Sequence, residues 1–202
     1  MAQMDVTQAL EQLNEIRHHL GRSEIYRGYR SKTIALTGLT GVLAAAGLAF
    51  FWPEADSLNR VGFWMAVAAL NLAVVAWEVL GDYGNYKTQQ QREVSRRTVG
   101  QFLPPLALGA VVTAAIAGRG DGLDLLPGLW AGLFALGVFS SRPYLPRGVG
   151  WVGAYYLVVA SILLGYQTTA LAWPWAMGGS FGVGQALLAY VLYQNLERTT
   201  VC

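Results

Sequence analysis

Charge is what this 202-residue sequence has least of. Only 13% of its residues are Asp, Glu, Lys or Arg, against about 25% in an average soluble domain. Cysteine occurs once, at Cys202. A lone cysteine excludes an internal disulfide and a cysteine-pair zinc site. It also falls at the wrong place for a prenylation box, so an incidental thiol is expected. Histidine occurs only at His18 and His19. Neighbours on a helix point about 100° apart, so the two cannot share one metal, and no histidine is available for haem inside an apolar stretch. There is no HExxH, no GxSxG elbow and no phosphate-binding loop. No catalytic residue, metal site or cofactor is therefore expected. A net charge of +2 is too weak to suggest nucleic acid. The first 30 residues lack an apolar core, so no cleaved signal peptide is expected.

What is present is hydrophobicity in blocks. The chain is 54% hydrophobic with a mean hydropathy of +0.37, and it carries 24 glycines and seven tryptophans. Both residue types are favoured in membrane proteins, tryptophan at the interfaces. About 20 apolar residues cross a bilayer. Six stretches meet that measure, at about 33–52, 61–80, 99–118, 124–140, 149–166 and 173–195, the fourth and fifth being the shortest. The expected fold is an all-α membrane protein of six transmembrane helices. Residues 1–32 would form a cytoplasmic amphipathic helix and interfacial collar, 33–196 the membrane domain and 197–202 a short cytoplasmic tail.

The loops set the orientation. Arg17, Arg22, Arg27, Arg30, Lys32, Lys87, Arg92, Arg96, Arg97, Arg142, Arg147 and Arg198 fall on one side, and only Arg60 and Arg119 on the other. Basic residues in short loops stay inside, so both termini are expected in the cytoplasm, in the cytoplasmic membrane of a bacterium. The arginine-rich basic set points to a GC-rich source. The outer loops are short, and Arg119-Gly-Asp-Gly-Leu-Asp124 reads as a tight turn.

Small residues four apart open the second helix of each successive hairpin: Gly62 and Ala66, Gly128 and Gly132, Gly178 and Gly182. Such pairs let helices approach closely in lipid. The last two pairs lie 50 residues apart, as do Arg97-Thr-Val-Gly100 and Arg147-Gly-Val-Gly150, while Trp64 and Trp130 are 66 apart. The pattern suggests a threefold-repeated hairpin.

Polar residues inside the spans are few. Asn71 and Gln185 lie near the centres of their spans and Glu78 near a cytoplasmic end. Each needs a partner, because lipid offers none. Pro104-Pro105 is expected to kink the third span and to free the carbonyls of Gly100 and Gln101. Asn71, Glu78, Gln101 and Gln185 form the candidate polar site. Tyr155, Tyr156, Tyr190 and Tyr193 read as an interfacial belt.

Ahead of the first span, Val6, Leu13 and Leu20 repeat every seven residues. Ala9, Leu10 and Ile16 complete the stripe. Residues 5–16 hold three acids and no base, unlike a membrane-surface helix, so a protein contact is expected. Tyr26, Arg27, Tyr29, Arg30 and Lys32 form the collar, contacting headgroups with Arg96 and Arg97.

Three functions follow from these residues. The first is a non-enzymatic regulatory or scaffold subunit that contacts a cytoplasmic or membrane protein, or a second copy, through the stripe Val6, Leu10, Leu13, Ile16 and Leu20 and the loop 81–98. The second is a small oligomeric transporter or channel built on the polar site. The third is a lipid-processing enzyme using Glu78, Asp82, Arg96 and Arg97 at the inner interface. Membrane lipids are partners in all three.

Overall fold

The structure, a computed structural model, describes residues 30–85, 89–166 and 172–197. Six helices carry the fold: α1 (Ser31–Phe51), α2 (Ser57–Asn85), α3 (Gln89–Arg119), α4 (Leu126–Ser141), α5 (Val149–Gly165) and α6 (Trp173–Leu192). No strand occurs among the described residues. Five segments, including α1, α2, α3 and α6 and the stretch Leu123–Tyr144 around α4, are long and apolar enough to cross a membrane. The expected fifth span is shorter. Its helix, Val149–Gly165, has 17 residues, which is about 26 Å against a hydrocarbon core of about 30 Å. The expected N-terminal helix, with Tyr26, Arg27 and Tyr29, lies outside the described residues.

The connections have local causes. Asp56 accepts the main-chain N–H of Asn59 at 2.7 Å, capping the first turn of α2. Part of the expected outer loop is therefore helix. Gly120 and Gly122 have φ of 78° and 75°, and their left-handed backbone makes the expected tight turn between α3 and α4. The expected loop 81–98 is instead helical at both ends. α2 continues to Asn85 and α3 begins at Gln89. Gln89–Thr98 contains no glycine or proline, and Glu93 pairs with Arg96 and Arg97 at 3.0 and 2.8 Å. Such i,i+3 and i,i+4 pairs support a helix in water.

Consecutive helices run antiparallel, but they do not pack as three equal hairpins. The broadest contact joins the first helix to the last, α1 to α6. Next come α4 with α5 and α3 with α4, while α1 touches α2 far less. Two buried clusters result. One, near the two described chain ends, holds Ile34, Val138, Val149, Val152, Tyr156 and Leu192. The other, at the opposite end, holds Ala45, Leu48, Trp64, Leu126, Trp173 and Met177.

In lipid the hydrophobic effect does not drive helices together, so close van der Waals contact must. Three successive seams use one device: an aromatic ring of one helix seated over a glycine of the next. A Cβ built on Gly137 would lie 2.7 Å from the Phe102 ring, one on Gly153 3.0 Å from Phe139, and one on Gly184 2.2 Å from Tyr156. The outward surface is apolar. Exposed aromatics gather at its two ends: Phe50, Phe51, Trp52, Tyr166 and Trp175 at one, Trp77, Trp151, Tyr190 and Tyr193 at the other. Two aromatic levels separated by an apolar band are the pattern of a bilayer-embedded surface.

Candidate functional site

The polar residues singled out in the spans occupy three places. Asn71 and Glu78 sit on one face of α2, seven residues apart, along the seam with α1. Thr40 Oγ1 donates to Asn71 Oδ1 at 2.7 Å, and Thr33 Oγ1 donates to Glu78 Oε1 at 2.8 Å. Thr33 and Thr40 are also seven apart, so the two pairs are rungs of one antiparallel ladder. Between them Thr37 is buried and donates to the Ile34 carbonyl at 2.7 Å. Arg30, expected at lipid headgroups, has its Nε 3.7 Å from Glu78 Oε1. The Glu78 side chain is only 13% exposed, and its Oε2 is buried without a partner. The threonines were missed in the sequence. The signal that finds them is the matching seven-residue spacing of Thr33/Thr40 and Asn71/Glu78.

The Thr40–Asn71 rung is testable. A double-mutant cycle with Thr40→Val and Asn71→Leu, read from unfolding in mixed micelles, should give a coupling of about 0.6 kcal/mol, the usual size for an interhelical hydrogen bond in a membrane. A coupling indistinguishable from zero would mean that the rung does not join the helices.

Gln185 lies apart from that ladder, buried on α6. Its Nε2 donates to the Tyr156 hydroxyl at 3.4 Å, which in turn donates to the Phe181 carbonyl at 3.4 Å. Tyr156 is fully buried, which corrects its expected place in an interfacial belt. The half-exposed Tyr155 bonds the Ser180 carbonyl at 3.0 Å. Adjacent residues on a helix face different ways, and Tyr156 is the one turned toward Gly184. Tyr190 and Tyr193 are exposed.

Gln101 occupies the third place, on α3 beside α4. Both Pro104 and Pro105 lie inside the continuous helix α3, whose first ten residues precede the expected start of the span. A groove of about 700 Å³ runs along the α3–α4 seam at this point, and Gln101 and both prolines line it. The Gln101 Oε1 is buried without a partner.

The small-residue pairs also differ in placement. Cβ atoms on Gly178 and Gly182 would meet Ala45 at 2.3 Å and Val42 at 2.4 Å, both on α1. Gly128 and Gly132 face Leu164 and Ala160 on α5. Gly62 and Ala66 are exposed, and a Cβ on Gly62 would meet nothing within 4 Å. Trp130, paired in the sequence with Trp64, donates its Nε1 to Thr113 Oγ1 at 2.8 Å. Trp64 is buried with its Nε1 unpartnered. Arg96, Arg97 and Lys32 are exposed, and Tyr144 is a second partner of Arg97. Among the described residues, no three His, Cys, Asp or Glu side chains come together.

No protein-family model, curated protein or solved structure matches this chain. The apolar helices are consistent with a membrane protein, and the side chains themselves carry any more specific reading.

Proposed function

We propose that the chain is a non-enzymatic subunit of the bacterial cytoplasmic membrane, with six spans and both termini in the cytoplasm, that works by protein contact at its cytoplasmic face. One observation carries this reading. The polar side chains of the spans are largely engaged in joining helices of the same chain: Asn71 with Thr40, Glu78 with Thr33 and Gln185 with Tyr156. The distribution of 12 basic residues on one side supports the orientation. The contact surface is the segment 81–98 together with the stripe Val6, Leu10, Leu13, Ile16 and Leu20. A second copy of the chain or a separate protein would cover it.

The experiment is affinity capture from membranes with the full chain and with residues 1–30 deleted. The deletion should remove specific partners, and a partner set unchanged by it would overturn the reading.

A transporter is the second reading, supported by the partnerless Glu78 Oε2 and Gln101 Oε1. Flux in liposomes that is abolished by Asn71→Leu and Gln185→Leu, with the fold retained, would establish it in place of the first.

A further inference from the structure

The α3–α4 groove has a polar end and an apolar end. Gly100, Gln101 and Ser140 line the first, and Leu108, Leu133 and Leu136 the second, with the two prolines between. Thr98 and Ser141, joined by a hydrogen bond from Ser141 Oγ to the Thr98 carbonyl, lie just beyond the polar end. At the apolar end Gly109 approaches Leu133, whose Cδ1 would stand 3.4 Å from a Cβ built there, which closes the foot of the groove. From Gly100 to Leu108 is eight residues, or about 12 Å along the helix. Leu103, Leu106, Leu108 and Leu136 are exposed around it, so the groove opens onto the apolar surface.

The polar end has oxygen acceptors in excess. Proline has no N–H, so Pro104 and Pro105 leave the carbonyls of Gly100 and Gln101 without their usual donors four residues on. The Gln101 Oε1, buried without a partner on a part-exposed side chain that lines the groove, becomes a third acceptor when that side chain turns toward a ligand. Unsatisfied polar groups are costly in a bilayer, and a ligand that brings hydroxyl donors relieves that cost. One turn toward the polar end, about 6 Å from Gln101, stand the exposed Arg96 and Arg97. They share the single carboxylate of Glu93, which leaves net positive charge at headgroup level.

We propose that this groove binds a lysophospholipid: one acyl chain against Leu108, Leu133 and Leu136, the free glycerol hydroxyl on the acceptors around Gln101, and the phosphate at Arg96 and Arg97. A diacyl phospholipid fits less well. It has a second ester carbonyl, an acceptor, where the lysolipid has its free hydroxyl donor, and it brings a second chain to a single slot. The inference does not depend on the proposed scaffold role.

The test is native mass spectrometry of the full chain in micelles, titrated with lysophosphatidylglycerol, with diacyl phosphatidylglycerol and with a monoacylglycerol of the same chain. One equivalent of the lysolipid should be retained, at least about tenfold more tightly than either comparison lipid. Gln101→Leu should weaken its retention about tenfold. Pro104→Ala with Pro105→Ala should weaken it similarly while raising the thermal midpoint, because alanine restores two amide donors. That rise is a readout that mere damage to the fold would not give. Equal retention of the lysolipid and the diacyl lipid, or retention unchanged in both variants, overturns the proposal. Equal retention of the monoacylglycerol overturns the part given to Arg96 and Arg97.

Discussion

Gly178→Val should cost about 2–3 kcal/mol of stability and loosen the first helix from the last. The position tolerates no side chain. Its built Cβ would lie 2.3 Å from Ala45 Cβ and 2.8 Å from the main-chain oxygen of Gly41. Neither can turn aside, because an alanine Cβ is fixed to its backbone and a helical carbonyl can move only with its whole helix. The control is one residue away, since a Cβ on Gly179 would meet nothing within 4 Å. Gly179→Val carries the same change in helix propensity without the collision. Reversible unfolding in mixed micelles, followed by tryptophan fluorescence, should separate the two variants by at least about 2 kcal/mol. Equal stability would show that α1 and α6 are not in this contact. Gly62→Val makes a further comparison. It leaves the fold intact on these contacts, so a change in oligomeric state with that variant would locate an interface between copies on the exposed face of α2.

The second large effect belongs to Tyr156. Tyr156→Ala should cost about 3–5 kcal/mol, the range for emptying a buried aromatic site. The ring is fully buried and is held by Phe134 at 4.7 Å and Phe181 at 5.4 Å between centroids. Tyr156→Phe keeps the ring and removes the hydroxyl, leaving the buried Gln185 amide short of a partner, at about 1–3 kcal/mol. Tyr190, 62% exposed, is the reference, and its alanine variant should change stability by no more than about 0.5 kcal/mol. A Tyr156→Ala variant as stable as Tyr190→Ala would remove Tyr156 from the core.

Asn71 and Glu78 stand seven apart in the sequence, so their shared face was legible; that α1 would supply Thr33 and Thr40 in matching register was not. Helix existence was legible for a similar reason, because a long apolar run has few alternatives. Which face of each helix turns inward was not. α4 and α5 are apolar nearly all round, and the threonines of α1 are too weakly polar to mark a face, so no clear stripe separates core from lipid. The glycines of α6 signalled a close approach, yet nothing local says that the neighbour is α1, some 140 residues earlier in the chain. Tyr155 and Tyr156 show the limit most sharply. They are the same residue type at adjacent positions, and their difference is decided by Gly184 on another helix. The helical start of α3 was missed because hydropathy marks only the part of a helix that lipid would cover, and Gln89–Thr98 is polar.

The clasp between α1 and α6 has a consequence for how the chain is made. Gly38 emerges from the ribosome 144 residues before Gly182, roughly 7–30 s earlier at ordinary rates of synthesis. During that interval the glycine face of the first helix has no permanent cover. Something other than α6 must cover it until that helix is made. The seam between α1 and α6 therefore closes only once α6 has been made, and a nascent chain that stops short of α6 leaves it open.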